Sequence, residues 1–158
     1  MSLSCSTWRS LRRSFINSGR SAAFSGADCC KAADDSAETH NYHPGSPPDE
    51  RSQVHAAKRG YDLSDLRARH FTDADYAHYD LILVMDWDNL ALAQEDSPPE
   101  HPGKIRRQTE FCLTHDAQVV PDPYHGGAKG FDQILDLIED ACDGLLRHVK
   151  KKLHAAKD

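Results

Sequence analysis

The stretch DLILVMD, Asp80 to Asp86, is an apolar run bounded by acids. A run without polar alternation is typical of a strand buried on both faces of a parallel sheet. WDNLALAQE follows it and predicts a helix, so Asp86 stands at the carboxyl end of the strand. A second short run, AQVV at 117–120, predicts another strand that ends just before Asp122. Strands alternating with helices indicate an α/β sheet, whose ligand sites lie beyond the carboxyl ends of the strands.

Three further segments have helical or loop signals. SPPDERSQVHAAKRG (46–60) predicts a helix with prolines in its first turn, and Gly60 stands at the left-handed position after its end. Thr72 is predicted to cap a short helical turn, TDADYAHY, and SPPEHPGK (97–104) is predicted to be a loop. The apolar residues of the last segment recur at helical spacing from Phe131 to Leu145.

Composition limits the class of protein. The chain has 158 residues, 39% of them hydrophobic, and a formal charge of −6. This charge argues against nucleic acid or an anionic membrane as the partner, because both favour basic surfaces. The five cysteines have no metal-ligand spacing, and an odd number of thiols indicates a reducing cytoplasm. His40 and His43 have no third ligand nearby in sequence, so we interpret them as loop histidines and predict no metal and no cofactor.

Residues 1–34 differ from the rest of the chain. They are rich in Ser, Arg and Ala and have no sustained apolar period, which predicts disorder. Such composition also resembles an organelle transit peptide, and this reading stays open. We therefore divide the chain into a leader, 1–34, and a domain, 35–158.

PDPYHGG (121–127) places an aspartate between two prolines. Because both prolines restrict φ, Asp122 is held on a loop of limited freedom. A carboxylate beside aromatic side chains is a candidate general acid, whereas an ordinary turn with a solvated aspartate has the same letters.

Four ordered segments resemble the low-molecular-weight protein-tyrosine phosphatases of the bacterial type. They are DSAETHNYHPGSPPDERS, RGYDLSDLRARHF, DLILVMDWDNL and VPDPYHGGAKGFDQILDLIEDACDGLL, within residues 35–148. The resemblance implies a flavodoxin-like, doubly wound parallel sheet flanked by helices. It also implies hydrolysis of phosphotyrosine, in a protein or an aryl phosphate, through a cysteinyl-phosphate intermediate.

The resemblance assigns roles to five residues. Asp122 would be the general acid that protonates the leaving tyrosyl oxygen. Tyr124 and His125 would line the substrate cleft, and Tyr42 would form its opposite wall. Ser36 would support the phosphate loop, although a capping serine would look the same in sequence. Glu38 departs from the family pattern, which has a small residue at this position.

The first strand and the phosphate loop of the family are doubtful in this chain. The family's loop is Cys-x5-Arg-Ser/Thr, which supplies a thiolate nucleophile and a guanidinium for the phosphoryl oxygens. No cysteine here has an arginine six positions later. Cys5 lies at about the right distance before Ser36, but Leu11 takes the arginine position and Arg12 comes one residue late. We therefore do not assign the nucleophile to Cys5.

A shift of reading frame would explain the mismatch. Residues 17–21, NSGRS, can be encoded as AAC AGC GGA AGG AGT. The same bases read one position later encode Thr-Ala-Glu-Gly-Val, which resembles the family sequence after the phosphate loop. Our hypothesis is that residues 1 to about 33 are translated out of frame; an unrelated leader is the alternative.

Two functions follow. The first is a phosphotyrosine phosphatase that is impaired or inactive in this form. The second is a catalytically dead family member or binding module that uses the Tyr42 and Tyr124 cleft. Related arsenate reductases and arginine phosphatases share the fold, but the Asp-Pro-Tyr segment favours an aryl phosphate.

Overall fold

The computed structural model describes residues 37, 45–99, 103–123 and 127–155. These residues belong to two compact units, with the boundary between Phe71 and Thr72. The prediction for residues 1–34 lies outside the described residues.

The first unit contains helix α1, Glu50–Lys58. The Asp49 carboxylate accepts the Arg51 N–H at 2.8 Å and caps its first turn. At its end Gly60 has φ of 86°, and the N–H groups of Gly60 and Tyr61 donate to the carbonyls of Ala57 and Ala56. This Schellman arrangement needs a left-handed residue, so the predicted role of Gly60 is confirmed.

The described residues of the second unit include three α-helices, two strands and a 3₁₀ helix. In chain order they are α2 (Asp73–His78), β1 (Ile82–Val84), α3 (Trp87–Glu95), β2 (Ile105–Arg107), the 3₁₀ helix Gln108–Phe111 and α4 (Gly127–Ala155). Helix α2 begins after Thr72, the residue predicted to cap it, and the Thr72 N–H donates to the Asp75 carboxylate at 2.8 Å. The helix predicted for WDNLALAQE is confirmed residue for residue as α3.

The two strands pair in parallel, with Ile82 opposite Ile105 and Val84 opposite Arg107. The predicted partner strand at 117–120 is wrong, because that segment has no strand conformation. The Val120 N–H donates to the Met85 carbonyl at 2.8 Å, one residue after β1, whereas the Gln118 carbonyl accepts from the side chains of Arg107 and Thr109. The real partner, Ile105–Arg107, holds one apolar residue and two arginines, so neither apolar alternation nor an apolar run marks it as a strand.

Helix α4 carries much of the buried apolar surface of this unit. Its buried apolar residues are Phe131, Ile134, Leu135, Leu137, Ile138, Ala141 and Leu145. Their spacing matches the predicted helical face, except that Cys142, which the periodicity included, is only half-buried. In the part of the chain described, no helix is both long and apolar enough to cross a membrane.

Candidate active site

Asp122 lies beyond the carboxyl end of β1. The Val120 N–H bonds to the Met85 carbonyl, directly after that strand, and brings the 121–123 segment to this edge of the sheet. Asp122 is exposed and Pro123 is buried. Gly130 of α4 lies against Pro123, since a β-carbon built on Gly130 would be 3.8 Å from the Pro123 carbonyl oxygen. The Asp122 carboxyl is thus presented to solvent from a segment held on both sides.

Asp86, the other acid at this edge, has a structural partner. Its carboxylate accepts the Asn89 N–H at 2.7 Å and caps the first turn of α3. This carboxylate therefore has a structural role as the cap of α3.

The carboxylate of Asp140, on α4, binds the loop that leads to Asp122. Asp140 is 9% exposed and accepts the N–H groups of Leu113, Thr114 and His115 at 2.8–3.2 Å. The His115 Nδ1 lies 2.9 Å from the same carboxylate. Burial alone would raise the pKa of Asp140, but the N–H groups and the His115 ring together hold it well below the usual range of a carboxyl. The sequence showed no sign of this arrangement, since the partners lie 25–27 positions apart.

We expect Asp140→Asn to lower the free energy of unfolding at pH 7 by about 1.5–3 kcal/mol, because an amide would present its own N–H groups to backbone donors. The folded pKa of Asp140 is depressed, so its contribution is complete above the unfolded pKa of about 3.9 and is lost as the pH falls below it. In urea unfolding, the difference in the free energy of unfolding between the parent chain and Asp140→Asn should therefore become smaller below about pH 4. Asp143→Asn is the control, since Asp143 is exposed on the same helix. An equal loss in both variants would contradict the assignment.

The other predicted site residues, Ser36, Tyr42, Tyr124 and His125, lie outside the described residues. Cys5 and Arg12 also lie outside them. The structure therefore describes one member of the predicted site, Asp122.

Neither of the two cysteines that the structure describes, Cys112 and Cys142, is followed by an arginine six positions later. Cys112 and Cys142 are half-buried and form no disulfide. Burial raises the pKa of the Cys112 thiol and the nearby Asp140 carboxylate raises it further, so Cys112 stays protonated at neutral pH. Within the described ranges no three His, Cys, Asp or Glu side chains are placed to hold a metal ion.

Comparison with known proteins identifies the family. The model of the low molecular weight phosphotyrosine protein phosphatases matches residues 25–155. The chain belongs to this family. A relative from Streptomyces coelicolor named low molecular weight protein-tyrosine-phosphatase is 34% identical over 122 residues, 75% of this chain and 74% of its own length. A Synechocystis protein described under the same family name is 41% identical over 75% of this chain and 76% of its own length.

Solved structures of this family share the fold. A protein tyrosine phosphatase from Entamoeba histolytica superimposes with a TM-score of 0.76 at 29% identity, covering 93% of this chain and 86% of its own. YfkJ from Bacillus subtilis gives a TM-score of 0.68 at 29% identity over 75% and 73% of the two chains. The predicted class, a flavodoxin-like parallel α/β sheet flanked by helices, is confirmed.

Proposed function

We propose that this chain is a phosphotyrosine phosphatase of the low-molecular-weight family that is impaired or inactive in its present form. Asp122 serves as its general acid, and the protein acts in the cytoplasm. The observation that carries the assignment of Asp122 is the Pro-Asp-Pro segment, whose aspartate is exposed beyond the carboxyl end of β1 and which is anchored by the Val120 to Met85 hydrogen bond. A general acid must reach the leaving oxygen directly, and an exposed carboxyl on a restricted loop meets that need.

The proposed reaction has two steps. A cysteine thiolate forms a bond to phosphorus as the bond to the tyrosyl oxygen breaks, and the Asp122 carboxyl donates its proton to that oxygen. Water then displaces the thiolate from phosphorus, yielding inorganic phosphate and returning its proton to Asp122. Tyr42 and the pair Tyr124 and His125 wall the aryl ring, and Ser36 supports the phosphate loop.

The impairment follows from the sequence. Attack at phosphorus needs a thiolate, and the equatorial oxygens need a guanidinium placed bidentately, yet no cysteine of this chain is followed six positions later by an arginine. A catalytically dead family member or a binding module, produced from a frameshifted gene, is the second candidate. The same lack of a Cys-x5-Arg loop supports it, and the nucleotide sequence upstream of the Asp35 codon tests the frameshift.

The purified chain is expected to hydrolyse phenyl phosphate near pH 6 no faster than a buffer control. Asp122 can supply only proton transfer, a factor of roughly 10²–10⁴, while attack and charge stabilisation are missing. Phosphate release measured with the chain and with its Cys5→Ser variant checks this. Turnover that Cys5→Ser abolishes would mean that Cys5 and Arg12 form a working phosphate loop.

A repaired chain separates the two candidates. In it, a family strand and Cys-x5-Arg loop replace residues 1–34, while residues 35–158 are unchanged. Hydrolysis of phenyl phosphate by the repaired chain supports a phosphatase that has lost one segment, and a folded but inactive repaired chain supports the dead family member.

A further inference from the structure

The Arg107 side chain joins four parts of the second unit. Arg107 is the last residue of β2. Its Nη1 donates to the Gln118 carbonyl at 2.7 Å and lies 3.2 Å from the Gln118 side-chain oxygen. Its Nε lies 3.5 Å from the Glu110 carboxylate in the 3₁₀ helix. The centre of its guanidinium is 3.8 Å from the centre of the Trp87 ring, at the start of α3.

These contacts fix the orientation of the guanidinium. The aromatic face sets its plane, and the carbonyl and the carboxylate engage different nitrogens at its edge. The Arg107 side chain is only 16% exposed, whereas the Trp87 residue is 51% exposed, so the ring serves as an outer platform for the guanidinium. A lysine ammonium has neither a flat face nor a fork of donors, so it cannot reproduce this arrangement.

Between Gln118 and Asp122, hydrogen bonds and proline rings restrict the backbone at several residues, beginning with Gln118. Its carbonyl accepts from Arg107 and also from the Thr109 hydroxyl at 3.1 Å. Two residues later the Val120 N–H bonds to the Met85 carbonyl. Pro121 and Pro123, whose φ angles are restricted by their rings, flank Asp122 directly. Displacement of Gln118 would therefore be passed along a short, stiff segment to the Asp122 carboxyl.

We propose that Arg107, which stacks on Trp87, is a positioning residue for Asp122. Arg107 binds the Gln118 carbonyl and thereby fixes the position of the Asp122 carboxyl. The catalytic part of this proposal rests on the proposed function, in which Asp122 is the general acid. Its structural part concerns the full chain as it exists and needs no turnover.

The structural part is tested by amide hydrogen exchange of the full chain, followed by NMR. Arg107→Lys is expected to speed exchange of the Val120 amide by about tenfold or more, because the loop loses its anchor. The Ile82 amide, which donates to the Lys104 carbonyl at 2.8 Å, should change by less than about twofold, because pairing of β1 with β2 does not involve this side chain.

Arg106→Lys is the matched control. Arg106 precedes Arg107 and also forms a salt bridge with Glu110. Its guanidinium carbon lies 5.3 Å from the centre of the Phe111 ring. Arg107, in contrast, donates to the Gln118 carbonyl. Arg106→Lys should leave the Val120 amide unchanged. Unchanged Val120 exchange in a folded Arg107→Lys variant, or equal acceleration of Val120 and Ile82, would overturn the proposal.

A second variant covers the case in which Arg107→Lys fails to fold. Trp87→Leu removes the platform and leaves the arginine, and because half of the ring is already in solvent the chain should stay folded. We expect the same selective acceleration at Val120, by about threefold or more. No change at Val120 in this variant would count against the role of the stacked pair.

The catalytic part is tested in the repaired chain with two substrates. The dinitrophenolate leaving group departs without being protonated, whereas the phenolate leaving group needs a proton from a general acid. Loss of general acid catalysis therefore lowers kcat/KM for phenyl phosphate but leaves kcat/KM for 2,4-dinitrophenyl phosphate nearly unchanged. Arg107→Lys should show this pattern, with a loss of about tenfold or more for phenyl phosphate. If Asp122→Asn lacks the pattern, the proposed function fails. If Asp122→Asn shows it and Arg107→Lys does not, the positioning role fails.

Discussion

Gly144→Ala is expected to destabilise the chain by about 3 kcal/mol or more, which for a chain of this length lowers the Tm by roughly 6–12 °C. Gly144 is where α4 crosses the end of the 3₁₀ helix. A β-carbon built there would overlap the Phe111 carbonyl oxygen and stand 2.9 Å from the Phe111 carbonyl carbon. Since both atoms belong to the backbone, no side-chain rotation relieves the overlap, and α4 has to move away from the 3₁₀ helix.

Gly130→Ala is the control for this prediction, because Gly130 lies on the same helix. A β-carbon there would meet Pro123 at 3.8–4.0 Å, an ordinary contact distance. Alanine should therefore be neutral or stabilise the chain by up to about 1 kcal/mol, through reduced entropy of the unfolded chain. Thermal unfolding followed by circular dichroism compares the two variants. Similar Tm values for Gly144→Ala and the parent would mean that the two backbones are not in close approach.

Asp122→Asn in the repaired chain is expected to lower kcat/KM for phenyl phosphate by roughly 10²–10⁴, because an amide is not acidic enough to transfer a proton to the leaving oxygen. The loss should be much smaller with 2,4-dinitrophenyl phosphate, whose leaving group needs no proton. Initial rates over a range of substrate concentrations measure both.

Asp116→Asn controls for the loss of one carboxylate from the same loop, since Asp116 is also exposed. It should leave kcat/KM within about twofold. A repaired chain in which Asp122→Asn and Asp116→Asn behave alike would remove Asp122 from the role of general acid.

Local signals predicted where the helices lie, although Pro47 and Pro48, predicted in the first turn of α1, precede its first residue, Glu50. The cap at Thr72, the left-handed Gly60 and the apolar spacing of α4 each depend on residues within a few positions of one another. The strands were harder to predict. The apolar run at 81–85 was found because no polar residue interrupts it, although Leu83 is only half-buried, whereas β2 is half-exposed throughout. The 117–120 segment has strand-like letters but forms no strand, since Arg107 and Thr109 bind its Gln118 carbonyl.

In the candidate site, too, some residues are marked by the local sequence and others are recognised only in the structure. Asp122 was singled out as a candidate because two prolines flank it and the segment resembles the family. The residues that hold its loop could not be predicted, since Asp140 and Arg107 meet their partners 25–27 and 11 positions away and neither stands in a recognisable motif.

The sequence by itself indicated the α/β class, the approximate positions of the helices, the family, the candidate acid and the lack of a Cys-x5-Arg loop. These properties reside in short segments, where backbone preference and side-chain spacing act locally. Only the tertiary structure decided which segment pairs with β1, why residue 144 has no side chain, and which side chains anchor the loop of Asp122. Those outcomes depend on atoms that come together from distant parts of the chain. In such places the packing of the chain decides which donor lies beside a carbonyl and binds it.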